Sequence, residues 1–141
     1  MPYDSRMTWA LDSTEDYDLW FESLADDEQE RVVAAARMLR QDGPTLGRPL
    51  VDQIKMSRHA NMKELRVRHI RVLFAFDPRQ QAKLLLGGNK EGKWDSWYAD
   101  NVPRADELFD RHLTKVQEEL AEETNNAPQI QRCRRGNRSN S

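Results

Sequence analysis

The 141-residue chain has a single cysteine, Cys133, so no disulfide can close within it. No stretch approaches the ~18 apolar residues of a membrane span, and the first residues, MPYDSRMTW, lack the apolar core of a signal peptide. These absences predict a cytoplasmic protein with no membrane association. No HExxH, paired CxxC or dense His/Cys spacing is present, so no metal site is expected. GGNKEGK lacks the GxxxxGK spacing followed by Ser or Thr that cradles phosphates, and its Gly-Gly pair reads as the end of a strand. Nothing in the sequence implies a cofactor. Apolar residues make up only 38% of the chain and charged residues 33%, which points to a thin core under a heavily solvated surface. One domain of this length still buries roughly two thirds of the surface of its unfolded chain.

The charge that is present is sorted along the chain. Residues 1–54 carry 5 basic and 12 acidic side chains, residues 55–104 carry 11 and 5, and residues 105–141 carry 6 and 7. A net of −2 therefore hides an acidic N-terminal layer and a cationic middle. The middle is the part suited to a polyanion.

Periodicity divides the chain into elements. Met7 to Leu11 reads as a short opening strand. Ser13 or Thr14 then caps a helix with Glu15 and Asp16 in its first turn, where the macrodipole favours acid. Val32, Ala35, Ala36 and Leu39 recur at helical spacing, predicting a second helix from Asp26 to about Arg40. QDGPTLGRP ends it, and the short connection makes the two helices an antiparallel hairpin. Period two follows in MKELRVR and IRVLFAF, with Ile70, Val72, Phe74 and Phe76 on one face and Arg71, Leu73 and Ala75 on a wetter one. DPRQ supplies a turn and AKLLLGG a further strand. Pro103 suits the first turn of a last helix, whose stripe is Ala105, Leu108, Phe109, His112, Leu113, Val116 and Leu120. The fold class is α+β: a helical hairpin and a C-terminal helix on one face of a twisted, mainly antiparallel sheet, the other face open. One domain is expected over residues 1–123. Residues 124–141, with four arginines and no acid, are expected to be a disordered basic tail.

Cations and aromatics are concentrated in the middle. Arg66, Arg68 and Arg71 come from adjacent strands; Lys63, Lys90 and Lys93 border them; Trp94, Trp97 and Tyr98 follow. Guanidinium forks suit a phosphodiester that gains negative charge in its transition state. Flat rings suit unstacked bases, at ~1–3 kcal/mol per base. Each residue also has a structural explanation. Strand arginines keep a sheet soluble, tryptophans cover small cores, and a lysine after a strand guards an edge. His112 reads as a half-buried packing residue, while His59 and His69 fit either role.

The string MKELRVRHIRVLFAFDPRQQAKLLLGGNKEGKWDSWY resembles the RelE/HigB superfamily of bacterial type II toxins, in the branch also found as phage-derived proteins. The pattern is ELR, an R-V-L-F strand, then leucines, glycine and lysine before a striped helix, and with the helical hairpin it covers roughly residues 8–120. The resemblance implies a metal-independent endoribonuclease that cuts mRNA on the ribosome and is held silent by a cognate antitoxin, of helix-turn-helix type. It implies that the ribose 2′-hydroxyl attacks the neighbouring phosphate. Arg71 matches the strand arginine used on the scissile phosphate, Arg66 the arginine of ELR, and Lys90 the lysine after the last core strand. Tyr98 matches a late tyrosine used for stacking or proton transfer. Lys63, Arg68, Lys93, Trp94 and Trp97 are the expected RNA-binding set. General acid and base are not assigned by it.

Two other functions share the fold. ParE-type relatives poison DNA gyrase without chemistry, and an inactive relative would only bind its antitoxin and tune their shared operator.

Overall fold

The computed structural model of the protein describes residues 8–89 and 94–126. The chain forms two compact units, Met1–Phe109 and Asp110–Ser141. The first holds a five-stranded sheet in the order β1-β5-β4-β3-β2. Its strands are β1 (Leu11–Ser13), β2 (Val51–Gln53), β3 (Lys63–Val67), β4 (Ile70–Phe76) and β5 (Ala82–Asn89). The helices are α1 (Glu15–Glu22), α2 (Asp26–Asp42) and α3 (Trp94–Asn126), the last running on into the second unit. Strands β2 to β5 are antiparallel, whereas β1 pairs parallel with β5.

Local chemistry sets the helix ends. Thr14 caps α1, its hydroxyl accepting from the Tyr17 N–H at 3.0 Å, with Glu15, Asp16 and Asp18 in the first turn. The Glu28 carboxylate accepts the Ala25 N–H at the start of α2. Gly43, at φ 63°, ends α2 in a conformation that side chains resist and leaves room for the Trp9 indole. The hairpin closes on the sheet: Tyr17, Val32, Ala35 and Leu39 pack with Leu65, Val67, Ile70, Val72, Phe74 and Leu84. A bulge at Leu85 lets Leu73 face Leu86 while Phe74 faces Leu84. In the tight turn after β4, the N–H groups of Arg79 and Gln81 donate to the buried Asp77 carboxylate.

Several expectations change. The opening strand starts at Leu11, and Met7 lies outside the described residues. The helices do not share one face. Adjacent residues of a strand point to opposite sides, and a Cβ on Gly87 would fall inside the Trp20 indole of α1, while one on Gly88 would fall inside the Trp97 indole of α3. So α3 covers the face expected to be open, and β4 is buried along both sides from Ile70 to Ala75. The paired glycines do not stop β5, which continues to Asn89; they make room for two tryptophans. Helix α3 begins at Trp94, placing Pro103 inside it rather than in its first turn, so the aromatic segment from Trp94 forms its first turns. Helix α3 also continues through Thr124 to Asn126, and the rest of the expected tail lies outside the described residues. His112 is buried. Among the described residues, no helix is long and apolar enough to cross a membrane.

Candidate functional site

Strand pairing builds the site. The two-residue turn Arg68–His69 opposes Val67 to Ile70, which sets Arg66 directly across from Arg71. Arg68 holds φ 58° there and is exposed, as is His69. Alternation along β3 puts Glu64 on the same face as Arg66, and α3 brings Tyr98 over both. The Tyr98 hydroxyl donates to Glu64 Oε1 at 2.6 Å, and Arg66 Nε donates to Glu64 Oε2 at 2.9 Å. Arg71 Nε lies 3.6 Å from Glu64 Oε1, and Arg71 Nη1 donates to the backbone carbonyls of Arg68 and Ile70. From the edge strand β2, Asp52 receives Arg66 Nη2 at 3.2 Å and, on its other oxygen, Arg48 Nε at 3.2 Å.

The electrostatics follow from burial. Glu64 is 2% exposed and Arg71 6%, so each needs the other, because an unpaired charge at that depth is costly. Of the two arginines that meet Glu64, Arg66 is the accessible one, its side chain 35% exposed. Three arginines meet two carboxylates, which leaves one surplus positive charge. Burial and the hydrogen bond to the Glu64 carboxylate push the Tyr98 phenol up to about 12, with Arg71 pulling the other way. The phenol is a hydrogen-bond donor at neutral pH and not itself a base. Asp52 is held below the usual carboxylate range by the Gln53 N–H and by Arg48, so it stays ionised. A cleft of about 270 Å³ opens beside these groups, lined by Asp52, Gln53, Ile54, Lys55, Met56, Glu64, Arg66 and Tyr98.

The expected residues divide. Arg66, Arg71 and Tyr98 converge, and the Trp97 ring stands edge-on to Tyr98 at 5.3 Å. Lys63 does not join them: it shares the hairpin face with Leu65, its ammonium 3.3 Å from the Pro44 carbonyl and 5.9 Å from the Phe76 ring. Arg68 sits in the turn and reaches the site through its carbonyl. Lys90 and Lys93 lie outside the described residues, as does the Trp94 side chain. Sequence reasoning missed Glu64, Asp52 and Arg48. Glu64 had one signal, an acid flanked by apolar and cationic strand positions within ELR; Asp52 sits in a strand too short to show a period. Among the described residues, no group of three or more His, Cys, Asp or Glu is placed to hold a metal ion.

Comparison with known proteins agrees with this architecture. Over residues 19–110 the chain matches the family described as Phage derived protein Gp49-like. It is 44% identical over 115 residues to HigB2 of Mycobacterium tuberculosis, a match covering 78% of this chain and 57% of that protein. It is 52% identical over 96 residues to HigB3 of the same organism, covering 67% and 84%. Both relatives are designated toxins by name, and the chain spans little more than half the length of the first. RelE in the archaeal RelE–RelB complex from Pyrococcus horikoshii has the same fold, with a TM-score of 0.51 at 18% identity, over 62% of this chain and 99% of that one. The chain belongs to the phage-derived Gp49-like family, within the RelE/HigB superfamily of type II toxins.

Proposed function

We propose that this toxin is a metal-independent endoribonuclease that cuts mRNA on the ribosome, kept silent by a cognate antitoxin of helix-turn-helix type. The observation that carries the reading is the meeting of Arg66, Arg71 and Tyr98 on one carboxylate, Glu64, beside an open cleft. Attack by a ribose 2′-oxygen forms a bond to phosphorus and breaks the bond to the 5′-oxygen, leaving a 2′,3′-cyclic phosphate and a 5′-hydroxyl. The extra charge on the phosphate oxygens falls to Arg66 at the cleft and Arg71 behind it. Tyr98 relays: its oxygen takes the 2′-hydroxyl proton as its own proton passes across 2.6 Å to Glu64. The 5′-oxygen takes its proton from solvent. Lys90 and Lys93 hold the flanking phosphates, and Trp94 and Trp97 stack on bases. Lys63, on the opposite face, takes no part.

Inducing the chain without its neighbouring gene should arrest growth and shorten translated mRNA. Arg66→Ala should abolish cleavage while the protein stays folded, and Tyr98→Phe should slow it about 10²-fold. Cleavage by Arg66→Ala at the wild-type rate would remove the assignment.

The burial of Arg71 favours a second reading, a ParE-type toxin in which this network is purely structural and the target is DNA gyrase. Induction would then raise DNA-damage signalling and leave mRNA intact.

A further inference from the structure

Asp106 is one of the buried ionisable groups that the chemistry above does not use. It lies on α3 and is 4% exposed. Its Oδ1 accepts the Ser57 hydroxyl, and its Oδ2 accepts the Arg58 N–H at 3.3 Å and faces Arg58 Nη1 at 3.9 Å. The Ser57 oxygen in turn accepts the His59 N–H at 2.9 Å, and the His59 ring stands edge-on to Phe109, 5.0 Å away. The segment is also closed at its base, where Ile54 N–H donates to the Met62 carbonyl and the Gln53 amide to the Ala60 carbonyl. Sinking a carboxylate is costly unless its oxygens are satisfied, and here they are satisfied by a surface loop. The same loop contributes Ile54, Lys55 and Met56 to the lining of the cleft, which Arg66 and Tyr98 also line. Met56 is 61% exposed, an apolar side chain held toward solvent at the rim.

The cleft, at about 270 Å³, is smaller than the ~300–1,000 Å³ of sites for whole drug-sized ligands, and its room suits one planar group. Its parts are an aliphatic wall, a phenol ring, a guanidinium and an ionised carboxylate at the rim. A nucleobase has the matching chemistry, two apolar faces and a polar edge. We propose that this cleft seats the base next to the cut phosphate, that the Ile54–Met56 wall selects which base enters, and that Asp106 is the positioning residue that fixes the wall. The inference rests on the ribonuclease reading for the identity of its ligand.

The test uses the whole chain and two readouts. Titration with the four nucleoside 3′-monophosphates, followed by amide NMR, should shift the resonances of residues 54–59 and favour one base. Cleavage of ribosome-bound mRNAs that differ at the base flanking the cut should show the same preference. Met56→Ala should flatten it about tenfold. Asp106→Ala should raise KM about tenfold with kcat nearly unchanged, and Asp106→Asn, which keeps an acceptor for Ser57, should recover most of the loss. Since Met56 is at the surface, its variant reports even if Asp106→Ala unfolds. Nucleotide binding at the loop without cleavage would support the pocket and overturn the ribonuclease reading. Cleavage with an unaltered preference in Met56→Ala and in a folded Asp106→Ala alike, or nucleotides that leave residues 54–59 unshifted, would overturn the pocket and leave the ribonuclease reading standing.

Discussion

The two faces of the central sheet are made by the same strands, residue by residue in alternation, yet they are stabilised differently. On the hairpin face Leu65, Val67, Ile70, Val72 and Phe74 meet aliphatic and aromatic side chains from α1 and α2. The face under α3 carries Glu64, Arg66 and Arg71 in the same strands, with Tyr98 over them. Apolar packing is non-directional and degrades gradually when one group is removed. A buried charge network depends on every member, since losing one leaves its partner desolvated and unmatched. Both faces hold the fold, the second through the buried Leu73 and Ala75, but only the second also fixes a charged network in place, which is what a phosphate site requires.

That contrast can be broken most severely at Glu64. Glu64→Ala should cost about 3–5 kcal/mol in urea denaturation by stranding Arg71. The double variant Glu64→Leu/Arg71→Met should regain most of that stability while remaining inactive. A single Leu65→Ala change on the hairpin face should cost about 2–5 kcal/mol and have no such rescue. If the double variant is no more stable than Glu64→Ala, charge stranding is not what separates the faces. The glycine pair gives a matched, smaller perturbation: Gly87→Ala presses on Trp20 and Gly88→Ala on Trp97, each about 1–3 kcal/mol. Both should shift tryptophan fluorescence, but only Gly88→Ala should lower activity.

Smaller still is the alkaline response. Tyr17, raised to about 12 by burial and by Asp18, and Tyr98, raised to about 12 by burial and Glu64, both lie above the ordinary 10. Their neutral forms stabilise the fold fully below pH 10, and that contribution is lost as pH rises from 10 through about 12. Ultraviolet titration should find both phenols ionising late. Tyr98→Phe should flatten part of the stability loss above pH 10, and Tyr17→Phe another part. The least effect is expected from Lys63→Ala, within about 1 kcal/mol and without change in cleavage.

Much of this was legible from pattern. Strand β4 fell on IRVLFAF because alternation there is uninterrupted, the cap expected at Ser13 or Thr14 is Thr14, and Asp26 opens α2 as expected. The sequence put Arg66 and Arg71 on adjacent strands, and the turn at Arg68–His69 sets them directly opposite. What escaped depends on contacts distant in sequence. Nothing near Gly87 and Gly88 says that Trp20 and Trp97 lie against them. Lys63 was grouped with the cations by proximity along the chain, although a one-residue step on a strand changes the face. Asp52 and Glu64 are single acids in a cationic region, and their role appears only once the arginines surround them.

The bulge in β5 also bears on how assembly is timed. Its extra carbonyl, on Leu85, accepts the Thr14 hydroxyl proton at 2.7 Å, and the Thr14 N–H donates to Leu84 at 3.0 Å. A chain emerging from its N-terminus can wind α1 early, but that hydroxyl proton waits 71 residues for its acceptor. The first helix and the fifth strand can therefore be tied only once β5 has been made, and a nascent chain halted short of residue 85 packs its hairpin on β3 and β4 alone, without this polar tie.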